Sequence, residues 1–252
     1  MAIYTAYYDA SGTEGDRDRP LVVAGLLASV VGWRRLEREW EATLKRFKVP
    51  YSHMKEYAHS TGPFKKWKGK DEQRAAFLAA LARALRHVRA GRAFRVLPSD
   101  FYVVDREYDL SGVMNSPGPL GGPYTVSAGN CIASFEVLRR KKHPRQEFEH
   151  VVAKGDQGQP RFDYLMRLEG IIPIIKPHKD PRTGRYLRPL EAADLVAYEI
   201  GLRISHLLTG SGRQLRKSLR AIQRSVPLRV KKQTQGTMRE MCREHPDLFL
   251  RR

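Results

Sequence analysis

Two aspartates far apart in the chain stand where a carboxylate could do chemistry. Residues 3–8 are rich in β-branched and aromatic side chains, which predicts a strand, and Asp9 follows them before a Ser-Gly turn. Asp194 interrupts the small and apolar run 189–198, which predicts a buried helix face. An unpaired charge there is costly unless a cation or a basic partner offsets it. We therefore expect Asp9 and Asp194 to meet and to hold metal, although an aspartate after a strand can also simply cap a turn.

Further candidates lie in turns and short helices. Asp156 follows another predicted strand and could be a third ligand or an ordinary turn residue. Glu191 precedes Asp194 by three residues and shares its helix face. His53 and Glu56 share a face if a helix begins at His53, where they could be metal ligands or an acid–base pair. The alternative is a histidine that only hydrogen-bonds a loop carbonyl. The predicted catalytic residues are Asp9, Asp156, Asp194, His53 and Glu56, and the predicted metal ligands are Asp9, Asp156, Asp194 and Glu191.

The charge balance favours a polyanionic partner. The 252 residues include 46 Lys and Arg against 27 Asp and Glu, a net charge of +19. Nucleic acid is favoured over a membrane surface, because no basic helix carries a broad aromatic face; a basic surface that only aids solubility is the alternative. Three lysines surround Phe64 and Trp67, which could stack bases or anchor the loop to the core. The predicted nucleic-acid contacts are Lys65, Lys66, Lys68, Arg213, Arg216, Lys217, Lys231 and Lys232.

Other global features predict a cytoplasmic protein. No apolar run approaches the roughly 20 residues that span a bilayer, and the opening strand predicts no signal peptide. Cys131 and Cys242 lack CxxC spacing, which predicts free thiols and no zinc site of the usual kind.

Hydrophobic periodicity predicts alternating strands and helices. Residues 21–30 read as a strand that pairs antiparallel with the first, and Trp33 and Trp40 belong to the core face of the helix after it. We expect a main domain over 1–208 and a basic extension with two short helices over 209–252. The remaining predictions are helices at 71–89, 124–142, 161–169 and 189–208, strands at 93–97, 147–154 and 171–175, and loops at 61–69 and 100–122.

Five motifs occur in order along the main domain. They are Asp-x-Ser-Gly at 9–12, the apolar second strand, His-Met-Lys-Glu at 53–56, Lys-Gly-Asp-Gln-Gly at 154–158, and Leu-Glu-Ala-Ala-Asp-Leu-Val-Ala-Tyr-Glu at 190–199. Together they resemble the domain-of-unknown-function 3800 family, which looks RNase H-like (integrase/resolvase-like) in fold. The resemblance implies an α/β fold with an RNase H-like mixed sheet, an antiparallel first hairpin and flanking helices. Residues 209–252 lie outside it and add the basic helical C-terminal extension.

The resemblance also implies a chemistry. In RNase H-like enzymes an acidic cluster from the first strand, a later strand end and a C-terminal helix binds divalent metal and hydrolyses phosphodiesters. Asp9, Asp156 and Asp194 match these three positions. The family often has Glu where this chain has Ala10, and an acid in the strand where this chain has residues 153–154.

These departures leave open a protein that binds without cutting. His53 and Glu56 match the family's His-Met-x-x motif, to which no role is assigned, and Glu191 stands where the family often has Gln. The predicted function is a metal-dependent nuclease-like hydrolase that uses Mg²⁺ or Mn²⁺, hard cations that prefer carboxylate oxygens. The alternatives are a nucleic-acid-binding protein of the same fold without catalysis, or a component of a defence or toxin complex. DNA or RNA as the partner, and a homo-oligomer, stay open.

Overall fold

A six-stranded mixed sheet forms the centre of the computed structural model, which describes residues 4–108, 121–156, 158–211 and 214–244. The strands are β1 (Tyr4–Ser11), β2 (Leu21–Ser29), β3 (Ala90–Val96), β4 (Phe148–Ala153), β5 (Ile174–Lys176) and β6 (Leu228–Gln233). Their order is β5-β4-β1-β2-β3-β6. β2 pairs antiparallel with β1 and β3, whereas β4, β5 and β6 pair parallel with β1, β4 and β3. The predicted α/β class, mixed sheet and antiparallel first hairpin are confirmed.

Helices cover both faces of this sheet. They are α1 (Val30–Phe47), α2 (Met54–His59), α3 (Asp71–Ala84), α4 (Pro98–Tyr108), α5 (Pro123–Lys142), α6 (Gln159–Leu168), α7 (Arg188–Leu208), α8 (Lys217–Ser225) and α9 (Gln235–Glu244). Short 3₁₀ helices span Gly62–Trp67 and Leu85–His87. The predicted helices are thus found within a few residues of their expected bounds. No helix in the described part of the chain is long and apolar enough to cross a membrane.

The central strand β2 contributes side chains to two hydrophobic cores, one on each face of the sheet. Eight of its nine residues are buried, as expected for a strand covered on both sides. Val22, Ala24 and Leu26 pack on one face against α1, α3, α7 and α8, and we call this the α7 face. Leu21 and Val23 pack on the other face against α4, α5, α6 and α9, which we call the α5 face. Trp33 and Trp40 lie in the α7-face core, as predicted.

The C-terminal residues are joined to this sheet. The two short helices expected in the basic extension are α8 and α9, but residues 228–233 between them form a strand that was not predicted, β6 beside β3. Their charged side chains obscure the strand in the sequence, yet exposed lysines are typical of a sheet edge. Leu219 and Ile222 of α8 enter the α7-face core, and Met238 and Cys242 of α9 enter the α5-face core.

Two other local predictions need correction. Residues 100–108 were expected to be loop but belong to α4 (Pro98–Tyr108), in which Phe101 and Val104 are buried at helical spacing. Residues 109–120 of the predicted loop lie outside the described residues. The strand predicted at 171–175 begins only at Ile174, because Pro173 has no N–H for a sheet ladder. Cys131 and Cys242 are free, as expected, and both are buried.

Candidate active site

Asp9 and Asp194 face each other across the contact between β1 and α7. Side chains alternate along β1, so Asp9 lies on the same face as Tyr7, which packs against the α7-face core. Asp194 lies in the second turn of α7, among residues that are buried throughout. α7 packs directly on β1 and β2. The sheet register and the helix therefore bring together two acids that are 185 residues apart (194 minus 9).

Asp194 is buried with a backbone partner. One of its carboxylate oxygens accepts a hydrogen bond from the backbone N–H of Met54, at 2.8 Å, and so ties α7 to the start of α2. Burial raises the pKa of Asp194 well above its ordinary value, and the charge of Asp9 raises it further. The Met54 bond and the charge of His178 act in the opposite direction but do not prevail.

Asp9 forms an ion pair with His178, which precedes α7. Its Oδ2 lies 3.1 Å from His178 Nε2, and its Oδ1 accepts from the backbone N–H of Ala10 at 2.8 Å. Burial is the largest influence on the His178 pKa and lowers it. The hydrogen bond and charge of Asp9, with the charges of Asp194 and Glu191, together outweigh burial and raise this pKa to about 9. His178 is therefore a cation at neutral pH, placed among carboxylates.

Asp156 is the third predicted acid, and it reaches the same region. It follows β4, which runs parallel to β1, so the two strands end at the same edge of the sheet. Burial raises the pKa of Asp156 to about 7, and the charges of Asp9 and Glu14 contribute, while His178 opposes them. Asp9 thus acts electrostatically on both Asp156 and Asp194.

Glu14 is an acid of this region that the sequence analysis missed. Its Oε1 accepts from the backbone N–H of Tyr124, at the start of α5, at 2.8 Å. A Cβ added at Gly122 or at Gly158 would lie 2.8 Å from the same oxygen, so two glycines make room for this carboxylate. Burial raises the pKa of Glu14, and the Tyr124 bond lowers it in part. No spacing pattern in the sequence marks Glu14.

His53 lies beside His178, whereas Glu56 turns toward a tyrosine. The ring centroids of His53 and His178 are 5.9 Å apart. Burial, followed by the charge of His178, lowers the pKa of His53, so His53 is neutral at neutral pH. Helix α2 begins at Met54, one residue later than the shared-face prediction required. Glu56 accepts a hydrogen bond from the Tyr51 hydroxyl at 2.8 Å.

Glu191 is committed to protein partners through both of its oxygens. Its Oε2 accepts from Trp40 Nε1 at 2.7 Å and from Ser52 Oγ at 3.1 Å, and its Oε1 pairs with Arg188 at 2.7 Å. These bonds join α7 to α1 and to the segment before α2. The structure therefore places this predicted ligand in a buried hydrogen-bond network.

The acids and histidines near Asp9 make pairwise contacts, an ion pair between Asp9 and His178 and a ring contact between His178 and His53. Among the described residues, no group of three or more His, Cys, Asp or Glu side chains is arranged to hold a metal ion. The chemistry of the donors nevertheless suits a hard cation, because Asp9, Asp156 and Asp194 supply carboxylate oxygens, and the charge of Asp9 disfavours the ionised form of each of the other two. His178 partly offsets that effect in this arrangement.

The predicted nucleic-acid contacts are dispersed over the surface. Phe64 and Trp67 are buried in an aromatic cluster with Phe77, so they anchor the 3₁₀ helix and are not free to stack bases. Arg216 pairs with buried Glu199 at 3.3 Å, which gives it a structural partner. Arg213 lies outside the described residues. The exposed members of the predicted set are Lys65, Lys66, Lys68, Lys217, Lys231 and Lys232.

Comparison of the chain with models of known protein families, with curated proteins and with solved structures found no match. The resemblance to the domain-of-unknown-function 3800 family stays a prediction.

Proposed function

We propose that the protein is a divalent-metal-dependent hydrolase of nucleic-acid phosphodiesters with an RNase H-like fold. One observation carries the proposal: Asp9, Asp156 and Asp194 come from three distant segments, and the charge of Asp9 acts on both of the others. The positive charge of His178 lowers the pKa of Asp156 and of Asp194, yet both pKa values stay above their ordinary range. Carboxylates held together at such a cost are typical of functional sites.

Asp9, Asp156 and Asp194 would hold the cation, Mg²⁺ or Mn²⁺, and Glu14 adjoins them. When bound, such an ion supplies charge neutralisation at the phosphate and lowers the pKa of a bound water. His178 pairs with one oxygen of Asp9 in the present arrangement, and the remaining lone pairs of that carboxylate would be the ones to contact a cation.

The two histidines have complementary protonation states. His178 carries a proton at neutral pH and can donate it to a leaving oxygen, while neutral His53 can accept a proton from a water molecule. Their neighbouring rings place both capabilities beside Asp9. Glu191 and Trp40 hold α7 in register with α1 and so position Asp194.

A nucleic-acid-binding protein without catalysis is the second candidate. It is favoured by the pairwise arrangement of the acids, which leaves no three-ligand metal group in the described residues. Ala10 and residues 153–154 also stand where the resembling family often has acids. A role in a defence or toxin complex stays a prediction.

Cleavage assays separate the two candidates. Labelled single-stranded, double-stranded and hybrid substrates are incubated with Mg²⁺ or Mn²⁺ and the wild type, Asp9→Asn, Asp194→Asn or Glu240→Gln. Glu240 is an exposed acid on α9 and serves as the matched control. The proposal predicts cutting by the wild type and the control, abolished by chelator and by either aspartate substitution. Absence of metal-dependent cutting on every substrate refutes it.

A further inference from the structure

A basic groove lies on the α5 face of the sheet, away from the carboxylates. Its floor is formed by β3 and β6 and its wall by the C-terminal half of α5, and it encloses about 690 Å³. Ala93 packs on the α7 face, so its neighbours Arg92 and Phe94 point the other way, toward α5. Asp9 is on the α7 face, which puts the two features on opposite sides of the sheet. The Lys and Arg residues that line the groove are Arg89, Arg92, Lys141, Lys142, Arg229 and Lys231.

The sheet register concentrates positive charge in this groove. Arg229 of β6 lies opposite Arg92 of β3, and Lys231 lies opposite Phe94. Like charges directly opposite each other on neighbouring strands are destabilising. No carboxylate lines the groove in the described part of the chain, so protein groups do not neutralise this pair there.

Arg92 is a built part of the groove. It is 9% exposed, and its guanidinium lies 5.5 Å from the ring centroid of Phe135. Its Nε donates to Ser134 Oγ at 3.1 Å, and its Nη1 donates to the Gly91 carbonyl at 2.9 Å. Both acceptors are neutral, so they orient the guanidinium without cancelling its charge. Burial lowers the pKa of Arg92, and the positive charge of Arg229 lowers it further. Both effects agree with a groove whose described lining contains no carboxylate.

We infer that this groove binds the sugar-phosphate backbone of a nucleic-acid strand. The cations are distributed along two strands and the end of a helix, which suits a polymer of regularly spaced phosphates better than one small anion. Phe94 is 4% exposed, so the groove offers contacts to phosphates and little surface for base stacking. The inference shares its nucleic-acid partner with the proposed function but assigns a second contact site that none of the catalytic residues forms.

Fluorescence anisotropy in the presence of chelator tests the groove without any cleavage. The probe is a fluorescein-labelled oligothymidylate, titrated at several NaCl concentrations with the wild type and with Arg229→Gln/Lys231→Gln. The matched control is Arg38→Gln/Lys45→Gln, which removes two exposed cations from α1 on the other face. Because the four replaced side chains are exposed, the folds should survive, and thermal melting checks this.

The groove variant should bind several-fold more weakly, and its slope of log K against log salt should fall by about 1.4, or about 0.7 for each lost phosphate contact. The control should keep the wild-type slope. Equal affinity and slope for the groove variant and the control, or no binding by the wild type, would overturn the inference. Full displacement of the probe by inorganic phosphate, at a concentration equal to that of the probe's phosphate groups, would also overturn the inference. The anisotropy assay contains no metal and measures no cleavage, so failure of the groove inference and failure of the proposed hydrolase are separate outcomes.

Discussion

Replacing Asp156 by Asn should stabilise the metal-free protein, because the carboxylate is held where its charge is unfavourable. Burial and the charges of Asp9 and Glu14 raise the Asp156 pKa from 3.8 to about 7. One pKa unit corresponds to about 1.4 kcal/mol, so the upper limit of the effect is about 4 kcal/mol. Asp156 is only partly buried, and solvent screening reduces this to about 1 to 3 kcal/mol.

The sign of the pH dependence follows from the raised pKa. Below pH 3.8 the carboxyl is protonated in both the folded and the unfolded state, so its ionisation costs no stability there. As the pH rises toward 7 the unfolded chain releases this proton first, and the wild type loses stability until the folded pKa is passed. Asn has no such titration, so the advantage of the variant should be absent in acid and complete above pH 7.

Urea unfolding, followed by tryptophan fluorescence in chelator, measures both curves. Glu240→Gln is the control and should change the free energy of unfolding by less than about 0.5 kcal/mol at either pH. The electrostatic reasoning would be refuted if Asp156→Asn were less stable than the wild type above pH 7. It would also be refuted if the substitution changed the free energy of unfolding by the same amount in acid and above pH 7. A saturating divalent cation should favour the wild type over the variant.

Three further predictions test other parts of the account. Trp40→Phe removes the N–H that donates to buried Glu191 and should lower the free energy of unfolding by about 1 to 3 kcal/mol in urea titrations. An unchanged urea midpoint would show that this hydrogen bond is dispensable. Gly158→Ala places a Cβ 2.8 Å from Glu14 Oε1 and should reduce the cleavage rate. The control Gly15→Ala, whose added Cβ meets no atom within 4 Å, should leave the rate unchanged. Equal rates in the two variants would exclude Glu14 from the site. Arg229→Gln relieves repulsion with Arg92 and should raise the free energy of unfolding by about 0.2 to 1 kcal/mol at low salt. The increase should vanish in concentrated NaCl, which screens the charges. An increase that does not depend on salt would point to another cause.

Sequence reasoning found the acids that strong local patterns mark. Asp9 follows a run of β-branched and aromatic residues and lies near the end of β1, and Asp194 breaks an apolar helix face, so periodicity indicates both positions. His178 and Glu14 lie in irregular segments without any period, and only tertiary packing brings them to these acids. Glu191 shows the converse, because its spacing to Asp194 is right but its oxygens are bound by Trp40 and by neighbouring side chains.

The fold was predictable to a similar extent. The first hairpin and the long helices have clear periodicity, whereas β6 is an edge strand with Lys and Arg side chains, so its sequence resembles a solvated segment. The basic groove depends on β6 pairing with β3, which brings Arg229 beside Arg92 across 137 residues (229 minus 92). A pairing of that separation has no local signal.

Binding of Mn²⁺, followed by electron paramagnetic resonance, tests most directly whether Asp9 and Asp194 belong to one cation site. The wild type, Asp9→Asn, Asp194→Asn and Glu240→Gln are each titrated without nucleic acid. The account predicts that the wild type and Glu240→Gln bind Mn²⁺ with the same affinity and that each aspartate substitution weakens binding by at least about tenfold, or about 1.4 kcal/mol. Equal Mn²⁺ binding by all four proteins, or none by the wild type, would contradict it.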